Sequence, residues 1–168
     1  MMKIIFPGLI LASLFIAGCL KKDAKCPYNS SKAIAPDSEI QSLKDSLNKD
    51  GITASQDPSG FFYKISDNGT GAGITNLCSN VTVTYKGSFF NGYIFDSTAT
   101  GKVATFQLGQ VIVGWQKGVP LISKGGDITL YIPPSLAYGP NPIDDNQGNV
   151  IIPGSSYLKF DVHIVDIQ

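Results

Sequence analysis

The chain contains no arginine and carries little charge of any kind. Its 13 basic residues are all lysines, they balance 13 acidic residues, and charged residues make up 15% of the 168. A basic surface for binding nucleic acid is therefore not expected. With 43% hydrophobic residues, the chain is also unlike a disordered protein. This composition favours one globular domain.

Glutamate is almost as scarce as arginine, since Glu39 stands alone beside twelve aspartates. Aspartate favours turns and helix caps over helix interiors. The 18 glycines and 10 prolines are numerous but follow no collagen-like period. These counts exclude a helical bundle and predict a turn-rich, mostly β domain.

The apolar run at the N-terminus, Ile4–Ala17, is too short to be a comfortable membrane span and contains a proline and a glycine. It is typical of a signal peptide, here residues 1–18. The small residues directly before Cys19 resemble the lipobox of bacterial lipoproteins, in which the cysteine thiol is lipidated and becomes the mature N-terminus. An ordinary cleaved signal and an uncleaved anchor helix are the alternatives.

Two further cysteines, Cys26 and Cys78, remain after Cys19. They form no C-x-x-C redox motif, and the single histidine, His163, cannot complete a zinc site at these spacings. An even pair in an exported protein predicts a disulfide. The bond would close a loop of about fifty residues and stabilise the fold by roughly 4 kcal/mol in the chain-entropy model. Its predicted role is structural.

A polar spacer and a helix are predicted ahead of the main domain. Residues 19–36 contain two prolines and a serine-rich patch, which is typical of a spacer that lifts a domain off a membrane. A helix is predicted over residues 37–49, and with its connector it occupies residues 37–59. Helical spacing and a glycine after the last turn support it: Ile40, Leu43, Leu47 and Gly51. Because the helix is too short for a dimerisation arm, a monomer is expected.

From Gly60 onward the hydrophobic pattern has the period of two that is typical of β-strands. Asn91–Gly92 has the composition of a two-residue type I′ hairpin turn. Each strand buries one face, so we expect a short helix within Val111–Ile122 to cover the sheet. The strands are predicted near Phe61–Ile65, Val81–Tyr85, Tyr93–Asp96, Ile128–Ile132 and Leu158–Ile164, the last with His163 on its solvated face.

Four separated motifs stand in the order and approximate spacing of FKBP-type peptidyl-prolyl cis-trans isomerases. They are VTVTYKGSFFNGYIFDST, FQLGQVIVGWQKGV, LAYG and IIPGSSYLKFDVHIVDI. The resemblance covers about residues 60–168, and the lipobox-like start resembles envelope-anchored bacterial members. It implies an α+β fold in which an antiparallel sheet of five to six strands wraps around one short helix. An aromatic pocket for proline is implied between the helix and the sheet.

The resemblance also implies the residues of the site. Trp115 matches the floor under the proline ring, and the backbone N–H of Ile112 matches a donor to a substrate carbonyl. The implied catalytic residues are Tyr85, Phe95, Asp96, Ile112, Trp115 and Tyr138. The implied substrate-binding residues are Val111, Ile151, Ile152 and Phe160.

The chemistry of this residue set needs no nucleophile, metal or cofactor. The barrier of about 18–20 kcal/mol to rotation of an X–Pro bond comes from amide resonance. A dry aromatic pocket favours the twisted amide because it removes the water that best solvates the planar form. Acceleration of about 10⁴-fold corresponds to roughly 5.4 kcal/mol. A shaped pocket with one or two dipoles can supply that amount.

Two departures from the family concern the pocket walls. An arginine that often completes the network at Asp96 is missing, so we expect a looser pair between Asp96 and Tyr85, with Lys102 as a partial substitute. An aromatic residue often found shortly before Phe106 is replaced by Ala104. This change is expected to weaken macrolide binding more than turnover.

A third departure is a long loop over residues 139–151, which is expected to overhang the site and to select the residues that flank proline. Within it, Asp144 and Asp145 either form a solvated turn, which is the favoured interpretation, or meet a basic substrate or a calcium ion.

Three functions remain after these steps. The first is a lipid-anchored prolyl isomerase that helps exported polypeptides to fold at a bacterial envelope, on its periplasmic or surface side. Its expected partners are proline-containing polypeptides, the membrane through the N-terminal lipid, and immunosuppressive macrolides. The second is a chaperone or adhesion module that holds proline segments with negligible turnover. The third is a structural support for an envelope assembly.

Overall fold

The computed structural model describes residues 25–145 and 147–168. The predicted signal peptide and Cys19 lie outside these residues. The helices are α1 (Asp37–Lys49) and α2 (Val113–Gly118), with 3₁₀ turns at Leu108–Gln110, Val119–Leu121 and Pro134–Leu136. The strands are β1 (Ser55–Gln56), β2 (Phe62–Asp67), β3 (Asn80–Phe89), β4 (Ile94–Ser97), β5 (Ala104–Gln107), β6 (Asp127–Ile132), β7 (Ile143–Asp144), β8 (Val150–Ile152) and β9 (Leu158–Ile167). Across the described part of the chain, no helix has the length and apolarity needed to cross a membrane.

Seven strands form one antiparallel sheet in the order β1-β2-β6-β9-β3-β4, with β5 also paired to β3. Strands β7 and β8 form a separate two-stranded hairpin. The predicted α+β fold, an antiparallel sheet with one short helix, is confirmed. The sheet has more strands than expected because β1 is a two-residue edge strand and β5 adds a short partner to β3.

The inner face of the sheet carries the main core and is covered by α2. Gly114 and Gly118 lie one helical turn apart and face β6, where a Cβ atom would come within 2.6 Å of Ile132 and 2.5 Å of Leu130. Because both positions lack a Cβ, the helix backbone can approach the sheet closely. This close approach fixes Trp115, which lies between the two glycines in sequence, in the core.

The predicted N-terminal helix is confirmed with the expected bounds, Asp37–Lys49. Its buried residues, Leu43 and Leu47, pack with Phe62 and Tyr131. Tyr131 alternates along β6 with core residues, so this second cluster lies on the outer face of the sheet. The helix therefore covers part of the face that faces away from α2.

The turn between β3 and β4 differs from the predicted two-residue type I′ turn. Gly92 has a φ of 87°, whereas Asn91 is not in the left-handed region that a type I′ turn requires at both positions. The N–H of Gly92 donates to the carbonyl of Phe89, and the N–H of Phe89 donates to that of Tyr93. The connection is therefore one residue longer, with the glycine after a tight turn.

The segment that leads into α1 lies against the domain from Cys26 onward. Cys26 and Cys78 form the predicted disulfide, which spans 52 residues of sequence. The Lys117 side chain donates to the carbonyl of Ala33 at 3.2 Å, and Ala35 is 3% exposed in the core. This part of the expected spacer is packed because its small alanine side chains fit against the body of the domain.

Candidate active site

A pocket of about 240 Å³ opens between the start of α2 and the inner face of the sheet. Strands β3, β4, β5 and β9 each contribute a side chain, and the turn after β6 contributes Tyr138. The lining residues are Tyr85, Asp96, Phe106, Gln110, Val111, Ile112, Trp115, Tyr138 and Phe160. Apolar and aromatic side chains with a few polar groups are typical of a small-ligand site.

Four aromatic residues, Tyr85, Phe106, Trp115 and Phe160, form what we call the aromatic floor. The other three rings have their centroids 5.5, 5.9 and 5.4 Å from that of Trp115, at angles of 86°, 86° and 90° to its plane. Edge-to-face packing at these distances is the favourable arrangement of aromatic quadrupoles. Trp115 itself is 6% exposed. The floor is consequently closely packed around a buried indole ring.

Gly87 leaves space for the ring of Phe95, which packs against the aromatic floor on the side away from the pocket. It pairs with Phe160 across β9 and with Asp96 across β4. A Cβ at this position would lie 2.7 Å from the ring of Phe95 and 2.9 Å from that of Phe160. Phe95 uses this space to pack edge-on against Phe160, with ring centroids 5.6 Å apart.

Asp96 and Tyr85 form the main polar contact of the pocket. The Tyr85 hydroxyl donates to the Asp96 carboxylate at 2.5 Å. Burial raises the pKa of Tyr85 well above its usual range, and the hydrogen bond and negative charge of Asp96 raise it further. Burial, followed by the charge of Asp96, also raises the pKa of Tyr138. Both phenols therefore keep their protons and can donate hydrogen bonds at neutral pH.

The predicted Asp96–Tyr85 pair is present, but it is not loose and Lys102 does not support it. The contact is short, as is usual when a hydroxyl donates to a carboxylate. Among the ion pairs of residues 25–145 and 147–168, none joins Lys102 to Asp96. The backbone N–H of Lys102 donates to the carbonyl of Ala99 in a turn. The Tyr85 hydroxyl is therefore the side-chain partner of Asp96 in the described residues, where the family often has an arginine as well.

The start of α2 presents a backbone donor to the pocket. Ile112 directly precedes the helix, and its carbonyl accepts the N–H groups of Trp115 and Gln116. The Gln116 side chain donates to the carbonyl of Val111 at 2.7 Å, which holds the chain before the helix in place. No acceptor for the N–H of Ile112 occurs in the described ranges. That N–H can therefore donate to a ligand carbonyl.

Seven of the ten predicted pocket residues line the cavity, and three do not: Phe95, Ile151 and Ile152. Phe95 lies behind the lining because it packs between Phe89 and Phe160. Ile152 pairs with Ile143 and is buried in the main core. Its neighbour Ile151 is 39% exposed, since adjacent strand residues face opposite ways.

Phe106 and Gln110 line the pocket but were not predicted to do so. Phe106 opens the second motif and pairs with Val81 on β3, so its place beside Tyr85 could have been found from the strand pattern. Nothing in the sequence marks Gln110. Ala104 lies two residues before Phe106 on β5 and does not line the cavity.

The long loop after Tyr138 carries the β7–β8 hairpin and ends where the N–H of Ser155 donates to the carbonyl of Gly139. At its tip the Asp145 carboxylate accepts the backbone N–H groups of Gln147 and Asn149 and the Asn149 amide. These hydrogen bonds, that of the Asn149 side chain first, lower the pKa of Asp145. The carboxylate is thus occupied within the turn, as the favoured interpretation expected.

A larger groove of about 740 Å³ lies on the opposite side of α2, along the segment that begins at Cys26. Tyr28 is the one aromatic residue among its lining residues, which are otherwise polar or aliphatic. An aromatic enclosure suited to a proline ring is therefore a property of the smaller pocket.

The fold and this aromatic pocket define the class of the protein as an FKBP-type isomerase domain. The family model for FKBP-type peptidyl-prolyl cis-trans isomerase matches residues 75–165, which is more than half of the chain. The chain belongs to the FKBP-type peptidyl-prolyl cis-trans isomerase family.

Named relatives and solved structures agree with this assignment. FkpA of Buchnera aphidicola subsp. Schizaphis graminum is 44% identical over 68% of this chain and 43% of its own length. The probable FkpA of Neisseria meningitidis serogroup B is 39% identical over 88% of this chain and 48% of its own length. The outer membrane protein MIP of Legionella longbeachae is 41% identical over 66% of this chain and 46% of its own length. This chain thus spans less than half the length of these curated relatives.

Two crystal structures share the fold at useful sequence identity. FkpA from Escherichia coli superposes with a TM-score of 0.65 and 34% identity, covering 78% of this chain and 60% of that one. AtFKBP13 superposes with a TM-score of 0.61 and 34% identity, covering 69% of this chain and 99% of that one.

Proposed function

We propose that this protein is a peptidyl-prolyl cis-trans isomerase and that the 240 Å³ aromatic pocket is its active site. The observation that carries the proposal is the aromatic floor under the hydrogen-bonded pair of Tyr85 and Asp96. A proline ring is flat-sided and apolar, so it fits against edge-to-face aromatic rings. Membership of the isomerase family supports the same activity.

In the proposed mechanism, the pocket favours the twisted state of the X–Pro bond over its planar states. The ring of Trp115 holds the proline, and Val111 and Phe160 enclose it. Enclosure removes water from the imide carbonyl, which weakens the solvation that favours the planar amide. The N–H of Ile112 donates to a substrate carbonyl and fixes the chain while the bond turns. Differential stabilisation of roughly 5.4 kcal/mol accounts for an acceleration of about 10⁴-fold.

The polar rim completes the proposed mechanism. The Tyr85 hydroxyl donates a hydrogen bond to Asp96, so the carboxylate is held beside the bound imide. The Tyr138 hydroxyl, whose pKa is also raised, remains a donor at the mouth of the pocket. The result is a fixed set of dipoles around an apolar floor, which needs no reorganisation during rotation.

An assay of cis–trans exchange in Xaa-Pro tetrapeptides tests the proposal. It compares the full chain with its variants Asp96→Ala and Tyr138→Phe. We expect the wild type to accelerate exchange. Asp96→Ala should lower kcat/KM about ten- to a hundredfold because a charge-assisted contact is lost. Tyr138→Phe should lower it about threefold, the effect of one hydrogen bond.

Two matched variants control for the substitutions themselves. Asp50→Ala removes an exposed aspartate just after α1, and Tyr93→Phe removes an exposed phenol in the β3–β4 turn. Both should leave kcat/KM unchanged. A wild type without acceleration, or an Asp96→Ala variant as fast as wild type, would contradict the proposal.

We also propose that the protein is lipidated at Cys19 and is monomeric. It would lie at a bacterial envelope and act on exported polypeptides that contain proline. The lipobox-like sequence before Cys19 supports the anchor, and the similarity to the outer membrane protein MIP of Legionella longbeachae supports the envelope. Incorporation of labelled palmitate that is lost in Cys19→Ser tests the anchor. Light scattering of the mature form tests the monomer.

Macrolide binding by the same pocket is a further proposal. We expect an immunosuppressive macrolide to compete with the peptide only weakly, because Ala104 offers no aromatic wall. Restoration of an aromatic residue by Ala104→Phe should tighten competition without a matching gain in turnover. Equal changes in both would contradict this division.

A second candidate function, holding of polypeptides with little turnover, is favoured by the exposed apolar side chains of the β7–β8 hairpin, Ile143, Val150 and Ile151. An exposed apolar patch is typical of a surface that binds polypeptide chains. Saturable binding of a proline peptide without accelerated exchange would favour this candidate over the isomerase.

A further inference from the structure

The N-terminal segment touches the rim of the pocket through Tyr28. Its hydroxyl accepts a hydrogen bond of 2.9 Å from the side-chain amide of Gln110, which lines the pocket. Its ring lies against Gly109, where an added Cβ would overlap the ring carbons. Tyr28 therefore occupies the space that a side chain at Gly109 would fill, and its hydroxyl holds the side chain of Gln110.

The segment around Tyr28 is anchored on both sides. Before it, the Cys26–Cys78 disulfide ties it to the turn that leads into β3. After it, the Lys117 side chain of α2 binds the carbonyl of Ala33. The N–H of Ala35 donates at 2.8 Å to the carbonyl of Ser59. Tyr28 is thus fixed to the domain rather than resting on its surface.

A second contact joins α1 to another part of the pocket rim, the turn that carries Tyr138. Glu39, the one glutamate of the sequence, accepts the backbone N–H of Ser135 at 3.0 Å and its hydroxyl at 2.8 Å. Ser135 lies in the 3₁₀ turn Pro134–Leu136, and the N–H of Gly139 returns to the carbonyl of Pro134. Tyr138 lies inside this closed turn. Glu39 thereby fixes the turn that presents the Tyr138 phenol.

We propose that residues 26–39 form a two-point brace, in which Tyr28 and Glu39 are positioning residues that hold Gln110 and Tyr138 in place for substrate binding. Both residues precede the family-matched region, residues 75–165, yet each binds the side of the pocket that it faces. A rim held before the substrate arrives loses less conformational entropy on binding. The inference rests on the proposed function, since it assigns the pocket to the substrate.

The test uses the full chain with Tyr28→Phe, Glu39→Ala and Glu39→Gln, and a proline tetrapeptide as the probe. Tyr28→Phe keeps the ring over Gly109 and removes its hydroxyl. Glu39→Ala removes the acceptor, whereas Glu39→Gln keeps an amide oxygen in its place. We expect Tyr28→Phe and Glu39→Ala each to raise KM about three- to tenfold, the range that one hydrogen bond supplies, with kcat unchanged. Glu39→Gln should restore most of the loss.

Two matched controls lie on the same segment. Lys32→Ala changes an exposed side chain between Tyr28 and Ala33, and Gln41→Ala removes an exposed helix hydrogen bond to Asp45. Both should leave KM and kcat unchanged. Because Trp115 is the single tryptophan and lies in the pocket floor, its fluorescence gives the peptide Kd independently of turnover.

The outcomes separate the brace from the proposed function. If the wild type accelerates exchange but Tyr28→Phe and Glu39→Ala match it in KM and Kd, the brace is overturned and the isomerase stands. The brace is also overturned if the rise in KM is accompanied by a fall in kcat and in the melting temperature, since those changes together indicate a structural role. If the wild type binds the peptide without turnover, the proposed function fails and the Kd values decide the brace. A wild type that neither binds nor turns over the peptide overturns both.

Discussion

The aromatic floor and the loop over residues 139–155, which follows the pocket residue Tyr138, both carry apolar side chains but are built in opposite ways. In the floor, Trp115 is 6% exposed and meets three perpendicular rings. In the loop, Val150 is 56% exposed. In the proposed function the floor meets the proline ring, which is the same in every substrate, and the loop is expected to meet the flanking residues, which differ. We infer that close packing serves the common part of the substrate, and we expect the exposed hairpin residues to serve the variable part.

The two regions are also held by different forces. The floor is stabilised by side-chain burial in the main core, in which Trp115 and Phe160 both take part. The loop is held by hydrogen bonds of its own backbone and of Asp145. Substitutions should therefore act on folding and turnover together in the floor and on selectivity alone in the loop.

Trp115→Ala is expected to have the largest effect, because it empties the centre of the floor. The free energy of unfolding should fall by about 3–5 kcal/mol, and turnover should be lost. Urea denaturation measures the first and the exchange assay the second. Trp115→Phe should keep most of the stability while lowering peptide affinity. A loss of less than about 1 kcal/mol in Trp115→Ala would break the claim that the floor is held by burial.

Gly87→Ala should have the next largest effect. The added methyl group overlaps the rings of Phe95 and Phe160, which must move. We expect the free energy of unfolding to fall by about 1–3 kcal/mol and kcat/KM to fall with it. Gly73→Ala is the matched control, because its Cβ would meet only the Ser123 hydroxyl at 3.8 Å. Equal effects of the two variants would contradict the close packing behind the floor.

The pH dependence of turnover sharpens the comparison for the polar rim. The pKa of Tyr85 and that of Tyr138 are both raised, so the fold favours their protonated forms. Their contribution is complete below the usual tyrosine pKa of about 10 and is lost only as the pH rises through the raised values. Turnover should stay level from neutral pH to about pH 9.

Asp96→Asn provides the control for this profile. Without the negative charge the pKa of Tyr85 should move down towards its usual value, although burial still raises it. Ultraviolet titration of the phenols should show this shift, and the alkaline limb of the residual activity should move to lower pH. An unshifted titration would show that Asp96 does not act on Tyr85.

Ile143→Ser and Val150→Ser, in the loop, should have the smallest effect on folding. Because both side chains are exposed, the free energy of unfolding should change by less than about 0.5 kcal/mol. A panel of tetrapeptides that differ beside proline should show changes of about two- to fivefold in relative kcat/KM. Uniform changes across the panel would remove the distinction between the loop and the floor.

The sequence predicted those elements and site residues that are marked by a local pattern or by a contiguous motif. Helix α1 has strong spacing and a glycine stop, and its bounds were predicted to the residue. Tyr85, Asp96, Trp115 and Phe160 lie within motifs of defined order, and the structure brings them together.

Other features depend on contacts between residues far apart in sequence and gave no local signal. Gln110 is a pocket residue only because the turn before α2 faces Tyr28, 82 residues earlier. The packed segment after Cys26 has a spacer-like composition, and its burial follows from its partners, Lys117 on α2 and Ser59. Lys102 lies close to Asp96 in sequence, but among the ion pairs of the described residues none joins the two side chains. Composition and residue spacing do not predict such long-range contacts.

The most direct test of the central claim, that the aromatic pocket turns X–Pro bonds, follows the single tryptophan and the peptide in one sample. A proline tetrapeptide is titrated into nitrogen-15-labelled protein while its cis–trans exchange and the indole N–H signal of Trp115 are recorded by nuclear magnetic resonance. The account predicts exchange cross-peaks together with a saturable shift of the indole signal, both weakened in Asp96→Ala. Accelerated exchange with an unmoved Trp115 signal, or a saturated shift without exchange, would contradict it.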